Sequence, residues 1–156
     1  MSIEINLMEY KGINAPKCGF EDVITFKEFS TSEMLELPFD ISNISSFLKT
    51  SVDVQILDEK IFKTPKGISV EGQSLTGLKL GVEGEIKTVI TYISNIDNQS
   101  INALTYRSKF YISTPIPDTL VFNQHLGVNV YTESINIQKL GNEMLSESLV
   151  LLLTVE

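Results

Sequence analysis

Residues 81–94, GVEGEIKTVITYIS, constrain this chain more than any other stretch. Even positions read Val82, Gly84, Ile86, Thr88, Ile90 and Tyr92, whereas odd positions include Glu83, Glu85 and Lys87. A period of two belongs to an extended chain, whose successive side chains point to opposite faces, so a half-buried strand is predicted. The next stretch, 100–113, repeats the pattern with Leu104, Tyr106, Phe110 and Ile112 on its own even face. Between them lies SNIDNQS (94–100). Its Asn, Asp and Ser side chains bond their own backbone and favour turns. The two stretches should therefore form one long hairpin, with arms of roughly 40 Å for about twelve residues each.

The rest of the chain reads the same way. Further strands are expected at 3–8, 22–29, 51–58, 66–72, 127–137 and 148–156, with the hairpin arms at 79–94 and 100–113. One short helix is expected over SNISSFLK (42–49), with Ser42 as its N-cap and Ile44, Phe47 and Leu48 as an apolar face. TPKG (64–67) reads as a turn, and STPIPDT (113–119) as a crossover loop, since its two prolines cannot continue a central strand. Many strands with one brief helix indicate an all-β domain, an antiparallel β-sandwich or open barrel with long strands. At 156 residues the chain is most simply one domain, and it buries roughly 70% of its unfolded surface without needing a metal or disulfide framework.

Residues 1–21 differ from the rest of the chain. Gly12, Pro16 and Gly19 interrupt the segment, so it is expected to be an extended N-terminal arm ahead of a single domain at 22–156. The arm is either a draped terminus or a donor whose segment 3–8 adds a strand to a neighbouring subunit. On the second reading Ile3, Ile5 and Leu7 are interface candidates, and Cys18, the single cysteine, is placed for an intersubunit bond. The terminal SLVLLLTVE is apolar on both faces. It is either a central strand buried on both sides or a strand with one face covered by another subunit, which adds Leu149, Leu151 and Leu153 to the candidates.

Composition excludes several function classes. The net charge is −8 and no block of Lys or Arg occurs, which argues against nucleic acid and against anionic membranes. The longest apolar run, LVLLL at 149–153, is far short of the roughly 20 residues that span a bilayer, so no membrane insertion is expected. The N-terminus MSIEINLMEYKG lacks the basic and apolar regions of a secretory signal, so the protein is expected to be made in the cytoplasm.

Catalytic patterns are weak. EGQSLTG fails as a nucleophile elbow because Thr76 stands where the second glycine belongs. The lone histidine, His125, has no partner pattern. Glu83 and Glu85 share one strand face about 7 Å apart, but Lys87 continues the row as a solvated charged surface. GLKLGVEG matches no phosphate loop, and its glycines read as bulges or close backbone packing. No catalytic residue, cofactor or metal site is expected. A small-ligand or glycan module is the alternative, with an aromatic site drawn from Tyr106, Tyr111 and Tyr131.

The order of pieces points to a family. Leu37–Pro38 precede an Ile-containing turn, followed by Gly67, Glu71–Gly72, Gly77 and Gly84, then Tyr92, Phe110 and Pro115, and a final hydrophobic strand. Over residues 22–156 this resembles the SPOCS domain family of spore-forming clostridia and their relatives. The resemblance implies a β-rich, non-enzymatic module of spore-coat and spore-envelope proteins that works through protein–protein contacts. Longer members carry a peptidoglycan-binding LysM module, and no such module is present in this sequence. The implied partners are copies of itself, in a homo-oligomer or filament, or other spore-coat proteins. The implied location is the spore surface or coat.

Overall fold

The computed structural model describes residues 8–15, 23–68, 70, 72, 74–96, 100–120 and 126–156. Seven strands follow one another: β1 (Glu9–Lys11), β2 (Thr25–Glu36), β3 (Ile44–Ile68), β4 (Ser74–Ser94), β5 (Ile101–Ile116), β6 (Val128–Lys139) and β7 (Met144–Val155). They form two sheets in the orders β1-β3-β4-β5 and β2-β7-β6. Every pairing is antiparallel except β1 with β3. The chain is thus an all-β sandwich of two open sheets, as the alternation predicts.

The predicted hairpin is β4–β5. Val82 pairs with Ile112, Gly84 with Phe110, Thr88 with Tyr106 and Ile90 with Leu104. Leu80, Val82, Ile86 and Ile90 are enclosed, while Glu83, Glu85 and Lys87 stand on the outer face. Gly84 lies under the Phe110 ring, in the space a Cβ would need. Gly81 lies likewise under Tyr111 on the opposite face. Close packing is therefore the reason for both glycines, as expected from their place in a strand.

Three local expectations are corrected, two of them through sheet irregularities. Residues 42–49 are not a helix. Asp40, not Ser42, caps a single 3-10 turn at Ile41–Asn43 by accepting from the Ser42 N–H at 2.9 Å, and Ile44 is already extended. Register shifts between Ile44 and Ser46 and between Phe47 and Lys49 turn Ile44 and Phe47 inward together. A bulge adds one residue to a period of two, and the resulting spacing of three imitates a helix. TPKG is not a turn either: a shift between Lys63 and Lys66 absorbs Thr64 and Pro65, and β3 runs on to Ile68. Pro115 lies within β5, paired with Lys79. β5 is an edge strand with a neighbour on one side only, where a missing N–H is tolerated.

The core lies between the sheets in three adjoining groups. Leu35, Leu37, Ile41, Ile44, Tyr92 and Leu145 fill one end. Val52, Ile86, Phe110, Ile135, Leu149 and Leu151 fill the middle. Leu78, Leu80, Ile116, Leu126, Leu153 and Val155 fill the other end. Glu147 sits among them, 2% exposed, accepting a 2.7 Å hydrogen bond from the Thr88 hydroxyl. Burial pushes its carboxyl above the usual range; the neighbouring Glu33 charge adds to this and the Thr88 bond opposes it.

What is described of the N-terminal arm belongs to this sandwich. Met8 is buried in the first group of core residues. Glu9, Tyr10 and Lys11 pair with Lys49, Thr50 and Ser51. The arm then crosses to the second sheet. Asn14 donates its N–H to the Thr132 carbonyl at 3.0 Å, its side-chain oxygen accepts from the Thr132 N–H at 2.7 Å, and the Tyr10 hydroxyl accepts from the Ile137 N–H at 3.2 Å. Residues 8–15 thus join both sheets along one side.

Candidate functional site

The sequence candidates divide into two sets. Ile3, Ile5, Leu7 and Cys18 lie outside the described residues, as does His125. Leu149, Leu151 and Leu153 are 0% exposed and packed by this chain's own first sheet. They lie on β7, the central strand of its sheet, which accounts for the apolar run without a second subunit. As interface residues these three are corrected to core.

The outer face of the first sheet is a charged surface. Arg107 meets Glu85 at 2.6 Å and Lys109 meets Glu83 at 3.8 Å across β4 and β5. The two carboxylates are thus held by cations from the neighbouring strand. Tyr106 points inward, its hydroxyl donating to the Glu36 carbonyl at 2.8 Å, whereas Tyr111 is exposed on the outer face. Tyr106 and Tyr111 thus lie on opposite faces of β5 and do not line one hollow. No group of three or more His, Cys, Asp or Glu that could hold a metal occurs among the described residues. Among the described residues no helix is long and apolar enough to cross a membrane.

Two features remain that can engage a partner. The first is the outer edge of β3. β1 covers it only at Lys49–Ser51, so residues 53–68 have β4 on one side and no described strand on the other. The second is the β3–β4 hairpin itself. β3 has 25 residues and β4 has 21, whereas each strand of the second sheet has 12. The long pair therefore runs past the end of its partner sheet. Its tip carries Ile68, 80% exposed, and Val70, wholly exposed.

At the base of this overhang lies a cleft of about 610 Å³, lined by Lys63, Lys66, Thr76, Leu78, Asp118 and Leu120 among others. Lys66 meets Asp118 at 3.3 Å. The Thr64 hydroxyl in the same wall is shut off from water and has no hydrogen-bond partner among the described residues. A buried hydroxyl without a partner costs about 1–3 kcal/mol. The sequence signal for this region is Lys60, Lys63 and Lys66 in an acidic chain. Reading TPKG as a turn hid it.

No known protein family matches the chain, and no curated protein or solved structure matches it.

Proposed function

We propose that this chain is a non-enzymatic structural subunit that works through protein–protein contacts and assembles with copies of itself. The single observation behind this reading is the β3 edge. It already takes three residues of the arm in parallel register and has no described strand beside positions 53–68. Segment 3–7 of a neighbouring copy has the alternating Ile3, Ile5, Leu7 pattern that strand addition uses, with main-chain bonds giving affinity and alternate side chains giving fit. Placement in the bacterial spore coat or on the spore surface is supported by the resemblance to the SPOCS family and by no other observation.

Negative-stain electron microscopy of the purified protein tests the reading, beside a variant lacking residues 1–7, each with and without reductant. The cut stops short of Met8, whose removal would open the core. Ordered fibres, rings or sheets that disappear on truncation support strand addition, and their loss in reductant assigns the contact to Cys18. Single particles in every condition would overturn self-assembly.

A further inference from the structure

A second hollow lies on the outer face of the first sheet. Its volume is about 340 Å³, and Asp58, Lys60, Phe62, Gly81, Glu83 and Tyr111 line it among others. That is the size of a small-molecule site, about 300–1,000 Å³. Three strands supply it in register. Asp58 and Lys60 of β3 stand beside Glu83 and Gly81 of β4, and Tyr111 of β5 flanks Glu83 on the other side. Side chains on hydrogen-bonded strands hold their spacing better than side chains on loops.

Gly81 shapes the hollow. The hydroxyl end of Tyr111 occupies the space that a Cβ at 81 would need, so the ring leans across β4 instead of standing up from β5. It stays 65% exposed, and Phe62 adds a second apolar wall. The charges around the rings balance. Asp58 meets Lys60 at 3.8 Å, and Glu83 meets Lys109 at 3.8 Å. Both separations are too long for a hydrogen bond, so these groups keep capacity to donate and accept. The next pair along the face differs: Arg107 is closed on Glu85 at 2.6 Å. The Asp58 carboxylate is also held in place, its Oδ1 accepting from the Glu59 N–H at 2.9 Å.

We propose that this hollow binds an uncharged sugar, with the Tyr111 ring as its platform. The ligand class follows from the mixture of groups. An ion gains little where each carboxylate already has its cation. A wholly apolar molecule would strip water from Asp58, Glu83 and Lys60 without replacing it. A pyranose has an apolar C–H face and hydroxyls around its edge. Its face covers the tyrosine ring, and neighbouring hydroxyls donate to Asp58 and Glu83 and accept from Lys60, bonds strengthened by the charge on the protein groups. The inference goes beyond the assembly reading above and does not rest on it.

Saturation-transfer NMR on the full chain tests it. The probes are the methyl glycosides of glucose, galactose, mannose and N-acetylglucosamine, with glucuronate and glucosamine as charged counterparts. At least one neutral glycoside should bind in the millimolar range, with transfer strongest to the protons of one ring face. Tyr111→Ala should weaken that binding at least about tenfold, and Tyr111→Phe, which keeps the ring, by no more than about threefold. Residue 111 is exposed, and thermal melts check that both variants fold. No transfer to any neutral glycoside would overturn the proposal. So would binding that survives Tyr111→Ala, which would place the sugar elsewhere. Tighter binding of glucuronate or glucosamine than of every neutral glycoside would overturn the assignment to an uncharged ligand.

Discussion

The two ends of the sandwich are built from the same strands and stabilised in opposite ways. At the end where β4 meets β5, both sheets are present. Leu37, Ile41, Ile44 and Leu145 are buried between them, and the connections bond to one another. At the other end β3 and β4 leave the second sheet behind, and of the described residues outside the hairpin only 118–120 line the cleft at its base. A two-stranded ribbon has little apolar area to bury and is marginal alone. The first end is therefore where the fold is secured. The second can be altered without threatening it, which is the freedom a contact surface needs.

The largest expected effect breaks the secured end. Leu145→Ala empties a site that is fully enclosed and is expected to cost about 3–5 kcal/mol in urea unfolding. A loss below about 1 kcal/mol would mean that this end is looser than its packing indicates. Native-state hydrogen exchange sharpens the same comparison: amides of β7 should exchange near the global unfolding energy and those of 64–68 and 74–77 far faster.

Next in size is Met8→Ala. Met8 is buried beside Leu35 and Ile44, and its sulfur accepts from the Thr50 hydroxyl at 2.9 Å. A loss of about 2–4 kcal/mol is expected, together with proteolytic release of the arm. Retention of full stability would show that β1 is an accessory to the secured end and not part of it.

How much of this was legible in the sequence is answered by the same residues. The β4–β5 hairpin was readable because both arms keep a strict period of two and the turn between them is dense in Asn and Ser. The 42–49 region was not, because the bulge between Ile44 and Ser46 converted that period into helix-like spacing at Ile44 and Phe47. Pro115 misled because edge or centre is a property of the sheet, not of the segment. The place of Leu149, Leu151 and Leu153 stayed open until β2 and β6 were seen on either side of β7. The overhang was missed because TPKG has turn composition, while a register shift between Lys63 and Lys66 carries β3 through it to Ile68.

Glu147 gives a smaller and pH-dependent effect, midway between the ends. Its folded-state carboxyl titrates above the value of 4.5 of a free side chain, burial being the main cause. The folded protein therefore holds a proton that the unfolded chain has released, and stability falls as pH rises from about 4.5 through the folded-state value. Glu147→Gln removes that loss while keeping an oxygen able to accept from Thr88. The variant should match wild type near pH 4 and exceed it at pH 7 and above by about 1 kcal/mol, the scale of a buried polar group's desolvation. A constant difference across pH would show that Glu147 keeps one protonation state throughout.

The smallest expected effect on stability tests the overhang. Ile68→Ser with Val70→Ser changes two side chains that touch water rather than core, so unfolding energy should move by less than about 0.5 kcal/mol. The same pair forms the exposed apolar tip of the β3–β4 hairpin, and on the assembly reading removing its apolar area should weaken self-association measured by sedimentation. Stability and association would then respond at opposite ends of one molecule: Leu145→Ala strongly on the first, Ile68→Ser with Val70→Ser only on the second. A double serine variant that unfolds easily would join the tip to the core and dissolve the contrast. One that folds and assembles like wild type would show that the tip takes no part in assembly.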